Sequence, residues 1–273
     1  MQWIFFQTIA WNIIESKLLL DNKYTKLMFK KIVEGVQFLH SKNISHLDLK
    51  PKNIVLDKYF QPNIIDFGSA EEFTKNKKKK INKSKLITRS YACPEIYIND
   101  EIDCEKADIY SLGAILFKLV THEDELLSSN DIKKKLYDLI QNNEDNNGNY
   151  ENYWEYLNQI NDEADDDKKI NLELSDNFKR LYVKMISIKP ENRPPLDIIL
   201  SDPWFEEVNV ENKDEKNKLE NEYREALSNI YDEIKEINEE FEITEQLKLD
   251  HITKALNSEN RIFTLNNSEP KKY

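Results

Sequence analysis

The segment HLDLKPKN, residues 46–53, places an acid, a cation and an amide within eight residues. Asp48 is a candidate base, Lys50 a candidate partner for a phosphate, and Asn53 a candidate metal ligand. Eighteen residues after Asp48 stands a second carboxylate, Asp66, opening Asp66-Phe67-Gly68. Oxygen donors of this kind suit a hard cation such as Mg²⁺, which keeps phosphates among its ligands. Asp and Asn also serve ordinary turns. A shared site therefore depends on the elements that would bring these groups together.

Those elements are legible in the pattern around them. Residues 24–40 carry apolar side chains at three- and four-residue spacing, which predicts an amphipathic helix capped by Asp21 or Asn22. The β-branched runs IVLD (54–57) and NIID (63–66), split by KYFQP, predict a hairpin that returns Asp66 toward His46. Residues 69–90, with lysines at 77–80, are expected to form a loop; a solvated loop outweighs an import signal or a dock for acidic substrates. A strongly apolar helix is expected at 105–120 and a shorter amphipathic one at 131–141. Further helices are expected at 176–187, with Ser175 as N-cap, and at 194–205. Residues 142–173 are rich in Asn, Asp and Glu and are expected to be a flexible, partly anchored insertion around the aromatic island at 150–157. After Phe205 an acidic tail, 206–273, carries an apolar seam from Tyr223 to Phe241.

Composition bounds the partners. The chain has 273 residues and a net charge of −12, so as a whole it repels nucleic acid and anionic membranes. Cys93 and Cys104 are its two cysteines, which suggests free thiols and a cytoplasmic site, with the nucleus as the other compartment. No zinc-type ligand spacing occurs. Residues 1–14 are apolar but carry neither a basic leader pattern nor enough length to span a bilayer.

Taken in order, these residues resemble the eukaryotic protein kinase family. The family's His-Arg-Asp motif, followed after four residues by Asn, is matched by His46-Leu47-Asp48 and Asn53, and its Asp-Phe-Gly motif by Asp66-Phe67-Gly68. Thr88 and Tyr91 lead into Cys93-Pro94-Glu95, which is similar to the Ala-Pro-Glu motif. Asp108, Ser111 and Gly113 resemble the start of the family's buried central helix. Arg193 resembles the arginine that pairs with Glu95. The DPWF at 202–205 is similar to the domain end in the calcium/calmodulin-dependent-like group.

The resemblance implies a mainly α fold: the large C-terminal lobe of a protein kinase (15–205), a small β-hairpin at the catalytic loop, and a C-terminal helical extension. It implies ATP and Mg²⁺ as cofactors and a protein substrate. Asp48 would orient the acceptor hydroxyl and take its proton, Lys50 would steady the phosphoryl group, and Thr88 would hydrogen-bond near both. Asn53 and Asp66 would hold Mg²⁺, and Val55 would lie under the adenine. His46, Phe67, Gly68, Glu95, Asp108 and Arg193 would be structural. Lys50-Pro51 resembles serine/threonine rather than tyrosine kinases.

Two departures shape the expectation. Leu47 replaces the arginine that in many kinases receives an activation phosphate, and leucine makes no such charge-assisted pair. No glycine precedes Gly35, so the glycine-rich loop, strand lysine and helix glutamate of an N-terminal lobe are expected to be absent. Losing several hydrogen bonds of about 1.5–3 kcal/mol each to ATP would weaken binding more than a thousandfold. The expectation is a truncated serine/threonine kinase with little activity alone. The alternatives are an inactive binding module and a lobe completed by another chain. The tail helix, 219–241, is expected to pack back onto the lobe or to stand as a solvated helix; an autoinhibitory segment, or a surface for a partner or for self-association, is the alternative.

Overall fold

The structure is a computed structural model that describes residues 22–73, 78–80, 90–99, 101–122, 130–145, 150–165, 169–233 and 235–236. Segment 1–14, Asp21, Thr88 and Phe241 lie outside them. In chain order the helices and strands are α1 (Asn22–Ser41), β1 (Ile44–Ser45), β2 (Ile54–Leu56), β3 (Pro62–Ile64), β4 (Glu71–Glu72), β5 (Lys78–Lys80), α2 (Glu95–Ile98), β6 (Glu101–Asp103), α3 (Cys104–Thr121), α4 (Asn130–Asp145), α5 (Glu151–Glu163), α6 (Asp176–Met185) and α7 (Leu196–Leu200). The chain divides into two compact units, Met1–Ser228 and Asn229–Tyr273. In the second, the described residues 229–233 and 235–236 are helical. No helix among the described residues is long and apolar enough to cross a membrane.

The centre of the first unit is α3. Its apolar residues run around the whole helix, so it is buried on nearly every side. Asp103 caps it by accepting the Lys106 N–H at 3.1 Å, and His122 closes it at φ 60°. α1 packs against α3, and its buried residues include Met28, Phe29, Ile32 and Val36. α6 packs against α3 from another side. Ser175 caps α6, its hydroxyl accepting the Phe178 N–H at 3.3 Å. A 3₁₀ segment, Pro203–Val208, inserts Trp204 and Phe205 against Phe29, whose ring stacks on Phe205 at 6.1 Å.

Three small antiparallel ladders decorate this helical body. β2 and β3 form the expected hairpin, with Ile54 opposite Ile64 and Leu56 opposite Pro62. Its turn is fixed by Asp57, whose Oδ1 accepts the N–H groups of Tyr59 and Gln61. The expected 69–90 loop is corrected in part: β4 pairs with β1, and β5 pairs with β6. Both are short strands in polar sequence, so their partners rather than their own periodicity define them.

The 142–173 segment also differs from expectation. It contains α5, with Tyr153, Trp154 and Leu157 buried, and α5 packs on α4. The Trp154 ring meets Phe178 of α6 at 6.4 Å. The final helix expected at 194–205 is two pieces, α7 and the 3₁₀ segment, split where Asp202 accepts the Trp204 N–H.

Residues 213–228 form a helix that docks on α1 and on the hairpin turn. Leu219, Tyr223 and Leu227 are buried. The Tyr223 hydroxyl donates to the Phe60 carbonyl at 3.1 Å, and burial pushes its pKa up. Lys31 pairs with Glu220 at 2.6 Å and Lys23 with Glu222 at 2.9 Å. This stretch of the apolar seam is therefore consumed within the chain, in line with packing back onto the lobe rather than with the self-association alternative.

Gly113 shows how tightly α3 is packed. A Cβ there would lie 2.8 Å from Ile186 Cγ2 and 3.1 Å from Met185 Cβ. Gly113→Ala is therefore expected to destabilise the protein by about 1–3 kcal/mol, despite alanine's better helix propensity. Urea denaturation reads this directly; an unchanged or raised midpoint would contradict the packing described.

Candidate active site

The loop that carries Asp48 is held from behind by one buried carboxylate. Asp108, on the second turn of α3, is fully buried. Its Oδ1 accepts the Leu47 N–H at 2.8 Å. Its Oδ2 accepts the His46 N–H and lies next to His40 Nε2, both at 2.9 Å. A buried carboxylate is costly unless hydrogen-bonded, and here three groups meet it. Consecutive backbone N–H groups converge on it where the chain passes through Leu47 at φ 62°, in the left-handed region. Leu47 itself is buried, so the position of the family's arginine is occupied by an apolar contact.

His46 transmits this anchoring to the segment that follows β3 and leads into Asp66. Its Nε2–H donates to the Ile65 carbonyl at 2.9 Å, and its Nδ1 accepts the Asp48 N–H at 3.3 Å. A carbonyl only accepts and an amide N–H only donates, so the ring carries its proton on Nε2. The ring is fully buried and packs on Phe67 at 5.1 Å between centroids.

Asp48 is almost buried, at 9% exposure, at the mouth of this arrangement. Its Oδ2 accepts from Lys50 Nζ at 2.6 Å and from Asn53 Nδ2 at 3.3 Å. Asn53 Nδ2 also donates to the Asp48 carbonyl at 2.8 Å. A 3₁₀ turn, Pro51–Asn53, sets this spacing, with the proline at its first position. The acid, the cation and the amide that the sequence places within eight residues are one hydrogen-bonded set.

The hairpin joins Asp66 to that set. Ile65 N–H donates to the Asn53 carbonyl at 2.9 Å, so Asp66 follows directly on a residue bonded to Asn53. Asp66 is exposed, sits at φ 62°, and accepts the Gly68 N–H at 3.4 Å. Gly68 lies close beneath it: a Cβ there would stand 3.2 Å from Asp66 Oδ1. Val55, between these arms on β2, is buried at 6% exposure. The donors fit Mg²⁺: Asp66 offers a carboxylate, and Asn53, with Nδ2 committed to Asp48, offers its amide oxygen. No cluster of three His, Cys, Asp or Glu that could hold a metal occurs among the described residues. A cation here would share these two ligands with phosphate oxygens and water.

A second buried anchor lies further along the chain. Arg193 is fully buried and grips Glu95 at both oxygens, 2.6 and 2.7 Å. Its Nε donates to the Ser187 carbonyl and its Nη1 to the Lys106 carbonyl. Lys106 Nζ returns a bond to the Arg193 carbonyl. Burial works against the guanidinium charge, but the hydrogen bond to Glu95 and its charge outweigh it and raise the Arg193 pKa. Ser111 Oγ meanwhile donates to the Tyr91 carbonyl at 2.7 Å. Thr88 lies outside the described residues, so its place relative to Asp48 is not part of this geometry.

Several participants carried no signal in the sequence pattern. His40 ends α1 and meets Asp108; Tyr110 lies under Arg193, 5.1 Å from the guanidinium carbon. Ser187 and Lys106 act through backbone carbonyls. Helical spacing flags His40 only as a polar residue in the last turn, and carbonyl ligands have no sequence signature.

Two measurements test these anchors. Arg193→Met strands Glu95 in the interior and is expected to cost about 3–5 kcal/mol in urea denaturation, with part of the loss recovered by adding Glu95→Gln. Strict additivity of the two substitutions would contradict the pairing. Cys93 is buried, and burial followed by the nearby Glu95 charge pushes its thiol pKa up. Because the thiolate is the reactive form, native protein is expected to take no thiol label at Cys93 until unfolded. Rapid native labelling there would contradict its placement.

Over 119 residues the chain is 38% identical to the serine/threonine-protein kinase chk1 of Schizosaccharomyces pombe, covering 42% of this chain and 24% of that protein. Over 190 residues it is 29% identical to the SNF-related serine/threonine-protein kinase of Homo sapiens, covering 69% of this chain and 21% of that protein. Over 100 residues it is 34% identical to 3-phosphoinositide-dependent protein kinase 1 of Rattus norvegicus, covering 37% of this chain and 18% of that protein. The chain thus spans about a quarter or less of the length of these relatives. The protein kinase domain model matches residues 6–205, most of the chain, and the chain belongs to the protein kinase family.

Proposed function

We propose that this chain works in a serine/threonine protein kinase, as the lobe that holds the acceptor hydroxyl and the metal. The observation that carries the reading is the Asp48–Lys50–Asn53 set, hydrogen-bonded internally and tied by the hairpin to Asp66. Mg²⁺ and ATP would supply the transferable phosphoryl group and neutralise its charge. Asp48 orients the substrate hydroxyl and takes its proton. Lys50, held beside that carboxylate, places a positive charge where the phosphoryl oxygens pass. Asn53 and Asp66 offer the two protein ligands to the cation, and Val55 supplies an apolar surface for the adenine. Thr88 is proposed to hydrogen-bond near Asp48 and Lys50. Lys50-Pro51 supports serine or threonine as acceptor, and DPWF supports the calcium/calmodulin-dependent-like group.

Activity of this chain alone is proposed to be low. Its first glycine is Gly35, so no glycine-rich stretch ahead of α1 offers backbone amides to the phosphates. The proposed setting is cytoplasmic.

Asp48→Asn preserves shape but removes the base. It is expected to lower phosphotransfer from Mg·ATP to a serine peptide by about a hundredfold or more while leaving the urea midpoint nearly unchanged. Radiolabel transfer, compared with and without Mg²⁺, reads this. Retained transfer in the variant, or neither transfer nor Mg²⁺-dependent nucleotide binding in the unsubstituted chain, would overturn the reading.

A further inference from the structure

The match to the protein kinase domain ends at residue 205, yet the chain beyond it reaches the hairpin that carries the site. Asn53 stands immediately before β2, and Asp66 two residues after β3. The two strands are three residues each. A two-stranded hairpin of that size is not stable by itself in water. Whatever holds its turn therefore bears on where Asn53 and Asp66 lie.

Contacts from outside the hairpin hold that turn. Phe60 lies at φ 58°, in the left-handed region that a bulky side chain disfavours. Its N–H donates to the Asp57 carbonyl at 2.9 Å, and its carbonyl accepts the Tyr223 hydroxyl at 3.1 Å. Tyr223 has no exposure, and a buried tyrosine hydroxyl needs such a partner. Beside it, Lys31 Nζ donates to Gln61 Oε1 at 2.9 Å and to Glu220 Oε1 at 2.6 Å. One ammonium thus ties the end of the turn to α1 and to the helix at 213–228. α1 also meets β3 closely at Gly35, where a Cβ would stand 3.3 Å from Ile64 Cδ1. A disfavoured backbone conformation persists where its surroundings over-determine it, and Tyr223 is part of those surroundings.

At the other end of the hairpin, the Ile65 N–H donates to the Asn53 carbonyl and the Ile65 carbonyl accepts from His46. Turn and site are thus the two ends of one short hydrogen-bonded ladder. We propose that Tyr223, acting through the Phe60 carbonyl, is a positioning residue for the cation ligands Asn53 and Asp66. The helix at 213–228 then belongs to the working unit and is not an appendage to it. That the cation is Mg²⁺ carrying ATP rests on the kinase reading; the coupling itself is a property of the folded chain and is read without transfer.

The test compares the full chain with its Tyr223→Phe variant, which removes the hydroxyl and keeps the buried ring. Amide exchange reads the Ile65 N–H, and titration with Mn²⁺ reads paramagnetic broadening of the Gly68 N–H, which faces Asp66 Oδ1 at 3.4 Å. Tyr223→Phe is expected to lower Ile65 protection about threefold to tenfold and to raise the Mn²⁺ concentration for half-broadening by a similar factor. Lys23→Met removes an ion pair of the same helix that does not touch the turn, and is expected to leave both readouts within about twofold. Either readout unchanged in Tyr223→Phe overturns the proposal. So does an equal effect of Lys23→Met, which would show general loosening, or no Mn²⁺ broadening at Gly68 in the unsubstituted chain. Radiolabel transfer from Mg·ATP to a serine peptide separates the two readings. Mn²⁺ binding that depends on Tyr223, with no transfer, removes the kinase reading and leaves the positioning standing. Transfer with Mn²⁺ binding indifferent to Tyr223→Phe removes the positioning and leaves the kinase reading standing.

Discussion

The bond pattern around Asp108 is the constraint on which the loop carrying Asp48 depends. A carboxylate with no exposure to water must have its charge met by donors, and two of those donors are consecutive backbone amides, His46 and Leu47. Meeting both requires the chain to turn through Leu47 at a positive φ that leucine does not favour. The charge on α3 thus holds the loop in a shape its own sequence would not choose. From that turn the order passes outward: His46 to Ile65, Ile65 to Asn53, and Asn53 to Asp48. Asp48, Lys50, Asn53 and Asp66 share hydrogen-bonded neighbours rather than a common rigid element.

The Glu95–Arg193 pair plays the corresponding part for the segment beyond Asp66. It is bidentate and buried, and Arg193 also takes two carbonyls, so one guanidinium ties α2, the start of α3 and the turn after α6. Such a pair adds little net stability over an apolar replacement but is expensive to break from one side. Its value lies in fixing where the chain re-enters the core. The helix at 213–228 works differently. It braces the hairpin turn from outside, through Tyr223 on the Phe60 carbonyl and Lys31 shared between Gln61 and Glu220. The ion pairs along it, Lys31–Glu220 and Lys23–Glu222, are only partly buried; the fully buried Tyr223 and Leu227 carry the attachment.

The parts of this architecture that were legible in the sequence are those with strong local periodicity. α1 and α3 follow from apolar spacing, and the β2–β3 hairpin from two β-branched runs around a turn. Ser175 follows from its place before an amphipathic run. Asp48, Asn53 and Asp66 stood out because their types suit one chemistry and their spacing allows one site. The rest is tertiary. β4 and β5 are polar strands that exist because β1 and β6 lie beside them. α5 hides in an acidic, Asn-rich stretch because only Tyr153, Trp154 and Leu157 face inward. Neither the left-handed Leu47 nor the role of His40 is visible without knowing where Asp108 sits.

The most direct test of this account is amide hydrogen exchange on the Asp108→Asn variant under conditions where it remains folded. An amide group cannot offer acceptors to both backbone N–H groups and to His40 as the carboxylate does. The account predicts that protection at His46 and Leu47 falls about tenfold or more, matching a loss of about 1–3 kcal/mol, while α3 amides beyond the substitution keep theirs. Unchanged protection at both residues would show that the loop carrying Asp48 holds its shape without Asp108, and would contradict the account.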